Sequence, residues 1–176
     1  MKQAQRAGRS LHELIHYLSK GDVVCEAVDL NGLLLEALFL AEEAGYSDFH
    51  LVTDIEKNIR PVLVNRLQVQ KVLVVLLHNS VDAMRAAGMN DTDITITIRT
   101  FSGGNMAHVT VHDTGPGIDP EMAHRVFEPF FSTKPDGVGL GLAISRALVQ
   151  AHGGQLWLDV DSGPGATFHF TLPFAE

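Results

Sequence analysis

The chain has 176 residues, 45% of them hydrophobic, and a mean hydropathy of +0.11, so it is long and apolar enough to bury one domain-sized core. Its 13 Lys and Arg against 21 Asp and Glu give a net charge of -8, which argues against nucleic acid as a partner because phosphate backbones bind clustered basic surfaces. Cys25 is the single cysteine, so no disulfide forms within the chain, and the absence of a leader or a membrane-length apolar run predicts a cytoplasmic segment with no membrane contact.

The first predicted element is a helix over residues 3–20, in which small or apolar residues recur every three or four positions. This stripe consists of Ala4, Ala7, Leu11, Leu14 and Leu18, and Gly21 ends the helix. An amphipathic helix of this length is marginal in water by itself, so the stripe needs a partner. Either the rest of the chain or a second copy can supply it, which makes residues 3–20 a candidate homodimer contact.

Two helices and one strand are predicted next. Asn31 is expected to cap a helix that runs to about Gly45, and residues 49–54 have the pattern of a strand. Residues 65–68 have the form of a capping box with Asn in place of Ser or Thr, and they open the longest helix, which continues to Gly88. That helix is apolar nearly all round, so we expect it to be buried on most sides.

The second half of the chain contains four strands with alternating apolar residues. Residues 93–100 and 106–112 flank a glycine turn as a hairpin, and residues 155–160 and the last strand flank another turn at 161–165. The residues predicted to face inward are Ile94, Ile96, Ile98, Val109, Val111, Leu156, Leu158, Val160, Phe168, Phe170 and Leu172. One-sided strands and antiparallel hairpins predict an α/β (α+β) two-layer sandwich, with a mixed, largely antiparallel sheet covered by helices on one face, and exclude a doubly wound parallel sheet.

The segment from Asp113 to Ile118 places one carboxylate beside two glycines, Gly115 and Gly117, directly after an alternating strand. A carboxylate can accept a hydrogen bond from the exocyclic amine of adenine, worth about 1.5–3 kcal/mol, whereas guanine presents a carbonyl oxygen there. The glycines let the backbone approach a ring closely. The segment therefore predicts an adenine site, although an ordinary Asp-Thr-Gly turn explains it equally well when it is taken alone.

A second glycine-rich segment, residues 137–142, leads into a helix predicted from about Leu140 to His152. Free backbone amides and the positive end of the helix dipole therefore face an anion, such as the phosphates of a nucleotide. A dinucleotide-binding fold is excluded, because no strand precedes the glycines and the third glycine position is Leu142 or Ile144. The Gly-Lys-Ser/Thr ending of a phosphate loop is also missing.

An aromatic loop joins these two segments. We interpret Phe127 and Phe130 as its anchors and residues 132–137 as a mobile lid. Lys134 in this lid can reach the phosphates, with a solvated lysine as the alternative.

On the longest helix, Asn79 and Asp82 are polar residues one turn apart on an otherwise apolar surface. Burying them unpaired is costly, so a ligand or a metal is a natural partner. A neutral amide oxygen suits Mg²⁺ that phosphates already ligate, and a solvent-exposed Asn is the alternative.

Four segments of the chain occur in the order of four sequence motifs, the N, G1, F and G2 boxes. They are residues 76–84, the Asp113 segment, the Phe127 loop and residues 137–142. Over about residues 25–173 the chain resembles the catalytic ATP-binding domain of sensor histidine kinases, which has the Bergerat (GHKL) fold, and most of all their oxygen-sensing and nitrogen-regulatory branch. The resemblance implies Mg-ATP between the longest helix and the lid, with Asn79 as the Mg²⁺ ligand. The cofactor-binding residues that it implies are Asn79, Asp82, Ala83, Asp113, Gly115, Gly117, Ile118, Phe130, Thr133, Lys134, Gly137, Val138, Gly139, Leu140, Gly141, Leu142 and Thr167.

The same resemblance divides the chain. Residues 1–21 look like the end of the second helix of a dimerisation and phosphoacceptor domain, and residues 22–176 look like the catalytic domain. His12 imitates the start of a phosphorylated motif, but Tyr17 stands where that motif has Pro, so we expect the acceptor histidine on a separate domain and no autophosphorylation by this segment. The implied partners are ATP, that phosphoacceptor domain and a response regulator receiver domain.

One departure from the family pattern keeps other functions open. One turn before Asn79 the family usually has a polar residue. The related gyrase, mismatch-repair and chaperone ATPases have a Glu there, which activates water. In this chain the residue is Val75, which cannot accept a proton. This argues against efficient ATP hydrolysis. Transfer of the γ-phosphate of Mg-ATP to a histidine is the leading hypothesis, and a nucleotide-sensing module without transferase activity is an alternative for which Val75 is the best sign. A Ser/Thr protein kinase or ATP-driven switch, such as an anti-sigma factor, is another alternative, whereas the coiled-coil-like helix at residues 3–20 favours the histidine kinase.

Overall fold

The computed structural model describes residues 24–46, 49–134 and 137–176, so the helix predicted at residues 3–20 lies outside the described residues. The elements in chain order are β1 (Glu26–Val28), α1 (Leu30–Glu43), β2 (His50–Ile55), β3 (Val62–Val64), α2 (Arg66–Ala86), a 3₁₀ turn (Asp91–Asp93), β4 (Thr95–Gly103), β5 (Met106–Asp113), α3 (Pro120–Ala123), α4 (Gly141–Ala151), β6 (Leu156–Asp159) and β7 (Thr167–Pro173). Within these described ranges, no helix has both the length and the apolar character needed to span a membrane.

The main sheet has five strands in the order β2-β4-β5-β7-β6. β2 runs parallel to β4, and every other pairing in this sheet is antiparallel, which confirms the predicted mixed, largely antiparallel sandwich. A second sheet pairs β1 with β3 antiparallel. These two strands are not predicted from the sequence, because three residues are too few for an alternating pattern to be recognised.

The core lies between one face of the main sheet and the helices. Alternate residues of β4, β5 and β7, among them Ile96, Val109 and Phe170, are fully buried against the apolar side of α2. The prediction that Val160 faces inward on β6 is wrong, because that strand ends at Asp159 and Val160 is 51% exposed.

Side-chain caps set the starts of the two long helices. The predicted cap of α1 is wrong by two residues: Asp29 Oδ1 accepts a hydrogen bond from the Asn31 backbone N–H at 3.1 Å, and Asn31 instead donates its amide to the Glu56 carbonyl. The predicted cap of α2 is confirmed, because Asn65 Oδ1 accepts from the Gln68 backbone N–H at 3.1 Å.

A buried histidine connects α4 to α2. His152, at the end of α4, accepts a hydrogen bond at Nε2 from the Asn65 backbone N–H at 3.0 Å, and its Nδ1 donates to the Leu148 carbonyl at 2.7 Å. These partners fix the neutral tautomer that carries its proton on Nδ1. The end of α4 is thereby held at the first turn of α2.

Candidate functional site

Asp113 is a buried carboxylate at the last position of β5, with 2% of its surface exposed. Its Oδ1 accepts hydrogen bonds from the backbone N–H of Gly115 at 3.0 Å and of Ala166 at 3.1 Å. Two donors on one oxygen hold the carboxylate in a single orientation and offset the cost of burying its charge. Within the described ranges Oδ1 accepts both of these hydrogen bonds, so Oδ2 is the oxygen that can accept a hydrogen bond from a ligand.

Glycines bring the backbone close to this carboxylate. At Gly165, which has φ of +89°, a Cβ would overlap the Asp113 carbonyl oxygen, and at Gly115 a Cβ would lie 2.8 Å from Met84 Cγ on α2. Only glycine fits at either position. Residues 116–118 then line a cavity whose other wall consists of residues 158–160 and 163–166, and Ile118 packs against the core.

The first turn of α4 is open to a ligand at its N-terminus. Its cap residue, Leu140, supplies no side-chain hydrogen bond within the described part of the chain, so the first backbone amides of α4 can donate to an anion. Gly139, with φ of +71°, packs so closely on the Phe131 carbonyl that a Cβ would lie 2.6 Å away. A Cβ on Gly141 would lie 3.1 Å from Val75 Cγ1, so the start of α4 rests on α2.

Asn79 and Asp82 converge on one cation. The Lys134 Nζ donates to Asn79 Oδ1 at 3.0 Å and to Asp82 Oδ2 at 2.7 Å. The Lys134 and Asp82 side chains are 37% and 33% exposed, and Ala83 beside them is half-buried. The two oxygens therefore form a cation site of neutral amide and carboxylate donors; within the described residues, no cluster of three or more His, Cys, Asp or Glu side chains could hold a metal.

The three groups meet α2 at successive points along its length. The start of α4 touches Val75, Lys134 binds Asn79 and Asp82 on the same face one and two turns further on, and Gly115 beside Asp113 touches Met84. Nine residues of helix separate Val75 from Met84, which is about 14 Å. The order along the axis of α2 is therefore helix N-terminus, cation site and buried carboxylate, with Met84 on the opposite side of the helix from Val75. This order suits one elongated ligand with an anionic end and a hydrogen-bonding end.

The aromatic loop is anchored differently from the prediction. Phe127 packs against the core and lies edge-on to Phe168 at 6.2 Å between ring centroids, as expected of an anchor. The prediction that Phe130 also anchors the loop is wrong, because Phe130 is 55% exposed; its φ is +67°. The neighbouring Phe131 is half-buried, with the Arg125 guanidinium 4.4 Å from its ring centroid. Thr133 and Val138 are exposed, as is Gly137, whose N–H donates to the Lys134 carbonyl at 3.2 Å.

Thr167 is not brought to the site. Its Cα pairs with His112 across the sheet, and its hydroxyl lies 2.8 Å from His112 Nδ1. Successive residues of a strand point to opposite faces, so His112 and Thr167 lie on the face away from Asp113. The contact with Asp113 comes from the preceding residue, Ala166, through its backbone N–H. The sequence pattern located the strand, and its register decided which residue faces the carboxylate.

Tyr46 and His78 flank Asp82 and were not anticipated from the sequence. Their rings stack with centroids 3.8 Å apart. Burial raises the pKa of Tyr46, and the Asp82 carboxylate raises it further. Burial also lowers the pKa of His78, an effect that Asp82 opposes and Lys134 reinforces. The one available signal was position, because His78 is one helical turn before Asp82.

Comparison with known proteins agrees with this geometry. Residues 64–176 match the family model described as histidine kinase-, DNA gyrase B-, and HSP90-like ATPase. The chain belongs to this family. Its relatives within the family are sensor histidine kinases, and its fold is that of their catalytic domain.

Three proteins illustrate the similarity. The sensor protein FixL of Bradyrhizobium diazoefficiens is 35% identical over 176 residues, which are 99% of this chain and 34% of FixL. The structure of full-length ShkA in complex with AMPPNP has a TM-score of 0.74 at 26% identity, covering 97% of this chain and 37% of ShkA. The structure of the histidine kinase ThkA in complex with the response regulator protein TrrA has a TM-score of 0.72 at 27% identity, covering 99% of this chain and 49% of that one. The chain spans 34% of the length of FixL and between 18% and 36% of seven other curated relatives.

Proposed function

We propose that this chain is the ATP-binding catalytic segment of a two-component sensor histidine kinase, which transfers the γ-phosphate of ATP to a histidine on a helical dimerisation domain. The observation that carries the proposal is the row along α2: the buried Asp113 carboxylate near one end, the Asn79 and Asp82 oxygens in the middle, and the uncapped start of α4 at the other end. ATP has the matching order of a hydrogen-bonding base, metal-bound phosphates and an anionic end.

Asp113 holds the base. Its Oδ1 is fixed by the Gly115 and Ala166 amides, which leaves Oδ2 to accept a hydrogen bond from the exocyclic amine of adenine. Gly117, with φ of +78°, and Ile118 follow in the same segment and line the cavity next to Gly165 and Ala166. Because guanine presents a carbonyl oxygen in place of the amine, this arrangement favours ATP over GTP.

The phosphates lie at the start of α4. The amides of residues 139–142 donate to phosphate oxygens, where the positive end of the helix dipole adds to their attraction. Lys134 reaches the same region from the loop that precedes the glycines, which follows from its contact with Asn79.

Mg²⁺ is the cofactor that fits the cation site. The Lys134 ammonium lies on Asn79 Oδ1 and Asp82 Oδ2, which supports a cation in this region. We assign Asn79 Oδ1 as the metal ligand, because oxygen donors are what Mg²⁺ prefers. When bound there, the metal neutralises charge on the phosphates. The remaining contribution of this chain to phosphoryl transfer is orientation of the γ-phosphate towards an incoming histidine.

Val75 restricts the reaction to an external nucleophile. It occupies the position one turn before Asn79, touches Gly141 at the start of α4, and can accept no proton. The chain therefore activates no water at this position, and slow ATP hydrolysis follows. The same residue supports a second candidate, a nucleotide-sensing module that binds ATP without transferring phosphate; a Ser/Thr kinase or anti-sigma-type switch of the same fold is the third.

The wider organisation belongs to the proposal as well. We assign residues 1–21 to the end of the second helix of the dimerisation and phosphoacceptor domain and residues 22–176 to the catalytic domain, with residues 3–20 as a homodimer contact. A response regulator receiver domain is the downstream partner, by analogy with the complex that ThkA forms with the response regulator protein TrrA, and the setting is the cytoplasm.

Phosphotransfer to a supplied acceptor tests the proposal. The chain is incubated with γ-labelled ATP, Mg²⁺ and a purified dimerisation domain of the family, and label is expected on that domain in an acid-labile, base-stable form. A variant of the acceptor domain without its histidine is the matched control. Tight ATP binding without any transfer would favour the sensing module, and acid-stable label would favour the Ser/Thr kinase.

A further inference from the structure

A single ammonium group occupies both oxygens of the proposed metal site. Lys134 Nζ lies 3.0 Å from Asn79 Oδ1 and 2.7 Å from Asp82 Oδ2, and it comes from the loop that leads to the phosphate-binding glycines. Among the residues that the structure describes, Lys134 is the cation paired with Asp82, because the nearby Arg85 is paired with Asp91 at 2.8 Å.

The ammonium and a divalent metal exclude each other from these oxygens. Mg²⁺ binds oxygen at about 2.1 Å, well inside the distance at which the ammonium lies, and two cations on the same two oxygens repel. Lys134 must therefore leave Asn79 before Asn79 can serve as a ligand. Its new partners are the phosphates that arrive with the metal, because they are the nearest source of negative charge.

We infer that Asp82 is a positioning residue that holds Lys134 at the metal site until a metal nucleotide binds, so that the ammonium exchanges from Asp82 to the phosphates as Asn79 is taken up by the metal. This inference rests on the proposed function of the same site. It assigns Asp82 a role that differs from that of Asn79: Asp82 makes nucleotide binding depend on the metal. Without metal, the phosphates must compete with the carboxylate for Lys134 and also face its negative charge; with metal, that charge is neutralised.

The surroundings of Asp82 strengthen the effect of its charge. The rings of Tyr46 and His78 stack with centroids 3.8 Å apart, His78 is one helical turn before Asp82, and Arg85 lies 5.6 Å from the Tyr46 ring centroid while remaining bound to Asp91. The Asp82 side chain is itself only 33% exposed. Charges interact more strongly there than at an open surface.

A purely structural role for the pair predicts different behaviour. Lys134 and Asp82 are both about one-third exposed, and ion pairs of that exposure contribute little to global stability. Asp82→Asn should therefore leave the melting temperature nearly unchanged while altering the loop and the metal dependence. Asp91→Asn is the matched control, since it breaks the Arg85 ion pair, with contacts of 2.8 and 3.2 Å, next to α2 and away from the loop.

Hydrogen exchange of the nucleotide-free chain tests the pair directly. Backbone amides in peptides containing residues 130–134 are expected to exchange about twofold to fivefold faster in Asp82→Asn than in wild type, and at the wild-type rate in Asp91→Asn. Lys134→Met should reproduce this increase, and the double variant should add nothing to it, because both changes remove one interaction. Wild-type exchange in Asp82→Asn, or additive increases in the double variant, would overturn the inference.

Calorimetry with AMPPNP tests the exchange. The ratio of the dissociation constants measured without and with Mg²⁺ is expected to fall about fivefold in Asp82→Asn, through tighter binding without metal, and to stay unchanged in Asp91→Asn. Equal losses with and without Mg²⁺ would overturn the assigned role of Asp82. Failure of wild type to bind AMPPNP under both conditions would contradict the proposed function itself, and the hydrogen-exchange result would still report on the pair.

Discussion

At the scale of single residues, the proposed specificity for the base depends on Asp113. In Asp113→Asn, Oδ1 can still accept from the Gly115 and Ala166 amides, so the fold is retained while the new amide group faces the adenine amine, donor against donor. Losing a charge-assisted hydrogen bond of about 1.5–3 kcal/mol predicts about a 10- to 150-fold weaker affinity for ATP. Calorimetry with ATP and GTP measures both the affinity and the preference.

The exposed Asp54 provides the control for this substitution, because it lies on the edge strand β2 and pairs only loosely with Arg99 at 3.5 Å. Asp54→Asn should bind ATP as wild type does. Unchanged ATP affinity and unchanged preference over GTP in Asp113→Asn would refute the role given to Asp113.

Asn79 contributes to binding only when metal is present. Asn79→Ala removes a neutral oxygen from the cation site, so the gain in nucleotide affinity that Mg²⁺ provides should shrink, while metal-free affinity stays close to wild type. Titrations of AMPPNP with Mg²⁺ and with EDTA measure the two values. Asn90→Ala, in the loop after α2, is the control; equal losses in both titrations of Asn79→Ala would count against a metal ligand.

The residue types in the sequence were enough to predict several members of the candidate site. The strand register and the packing of the fold determine the other contacts. A carboxylate before two glycines and an Asn one turn from an Asp are chemically unusual in apolar surroundings, which is why Asp113 and Asn79 stand out in the sequence. Whether Thr167 or Ala166 meets Asp113 depends on a one-residue alternation between strands, which no local pattern encodes. The Lys134 contact to Asp82 spans 52 positions, and such pairing arises only from the packed fold.

At the scale of elements, His152 connects two helices of the site. His152→Leu removes the acceptor for the Asn65 N–H at the start of α2 and leaves that buried donor unpaired, at a cost of about 1–3 kcal/mol. For a chain of this length the melting temperature should fall by roughly 2–4 °C per kcal/mol. Thermal unfolding followed by circular dichroism measures the shift.

The exposed His124, which follows the short helix α3, serves as the comparison. His124→Leu should leave the melting temperature within about 1 °C of wild type, because surface changes rarely exceed about 0.5 kcal/mol. A His152→Leu variant as stable as His124→Leu would show that the bridge contributes nothing.

Elements with long periodic patterns were predictable from the sequence. Short strands, and helix ends at which two residues can serve as the cap, were not. α2, α4 and the β4–β5 hairpin lie close to their predicted positions because their apolar periodicity extends over many residues. The cap of α1 is Asp29 and not the predicted Asn31. Both residue types can cap a helix, but the side chain of Asn31 donates to the Glu56 carbonyl instead. β1 and β3 form because each completes the other, far apart in sequence.

At the scale of the whole molecule, two histidines make stability depend on pH. Burial lowers the pKa of His78 and of His169 below the unfolded value of 6.5, although Asp82 and Asp159 respectively oppose the shift. As pH falls through 6.5 the unfolded chain takes up protons before the folded chain does, so stability decreases towards the folded pKa values. The melting temperature should therefore drop between about pH 7 and 5, and less steeply in a His78→Gln, His169→Gln variant; an identical slope in that variant would contradict this origin.

At the same scale, the proposed arrangement has a nucleotide lying along α2, from Asp113 to the start of α4; the contacts of Gly115, Lys134 and Gly141 with that helix support it. A crystal structure of the chain with Mg²⁺ and AMPPNP tests this most directly. The account predicts the adenine amine at Asp113 Oδ2, the metal at Asn79, the phosphates on the first amides of α4, and Lys134 moved from Asp82 to the phosphates. A nucleotide bound elsewhere, or a crevice beside Asp113 filled by the protein's own side chains, would contradict it.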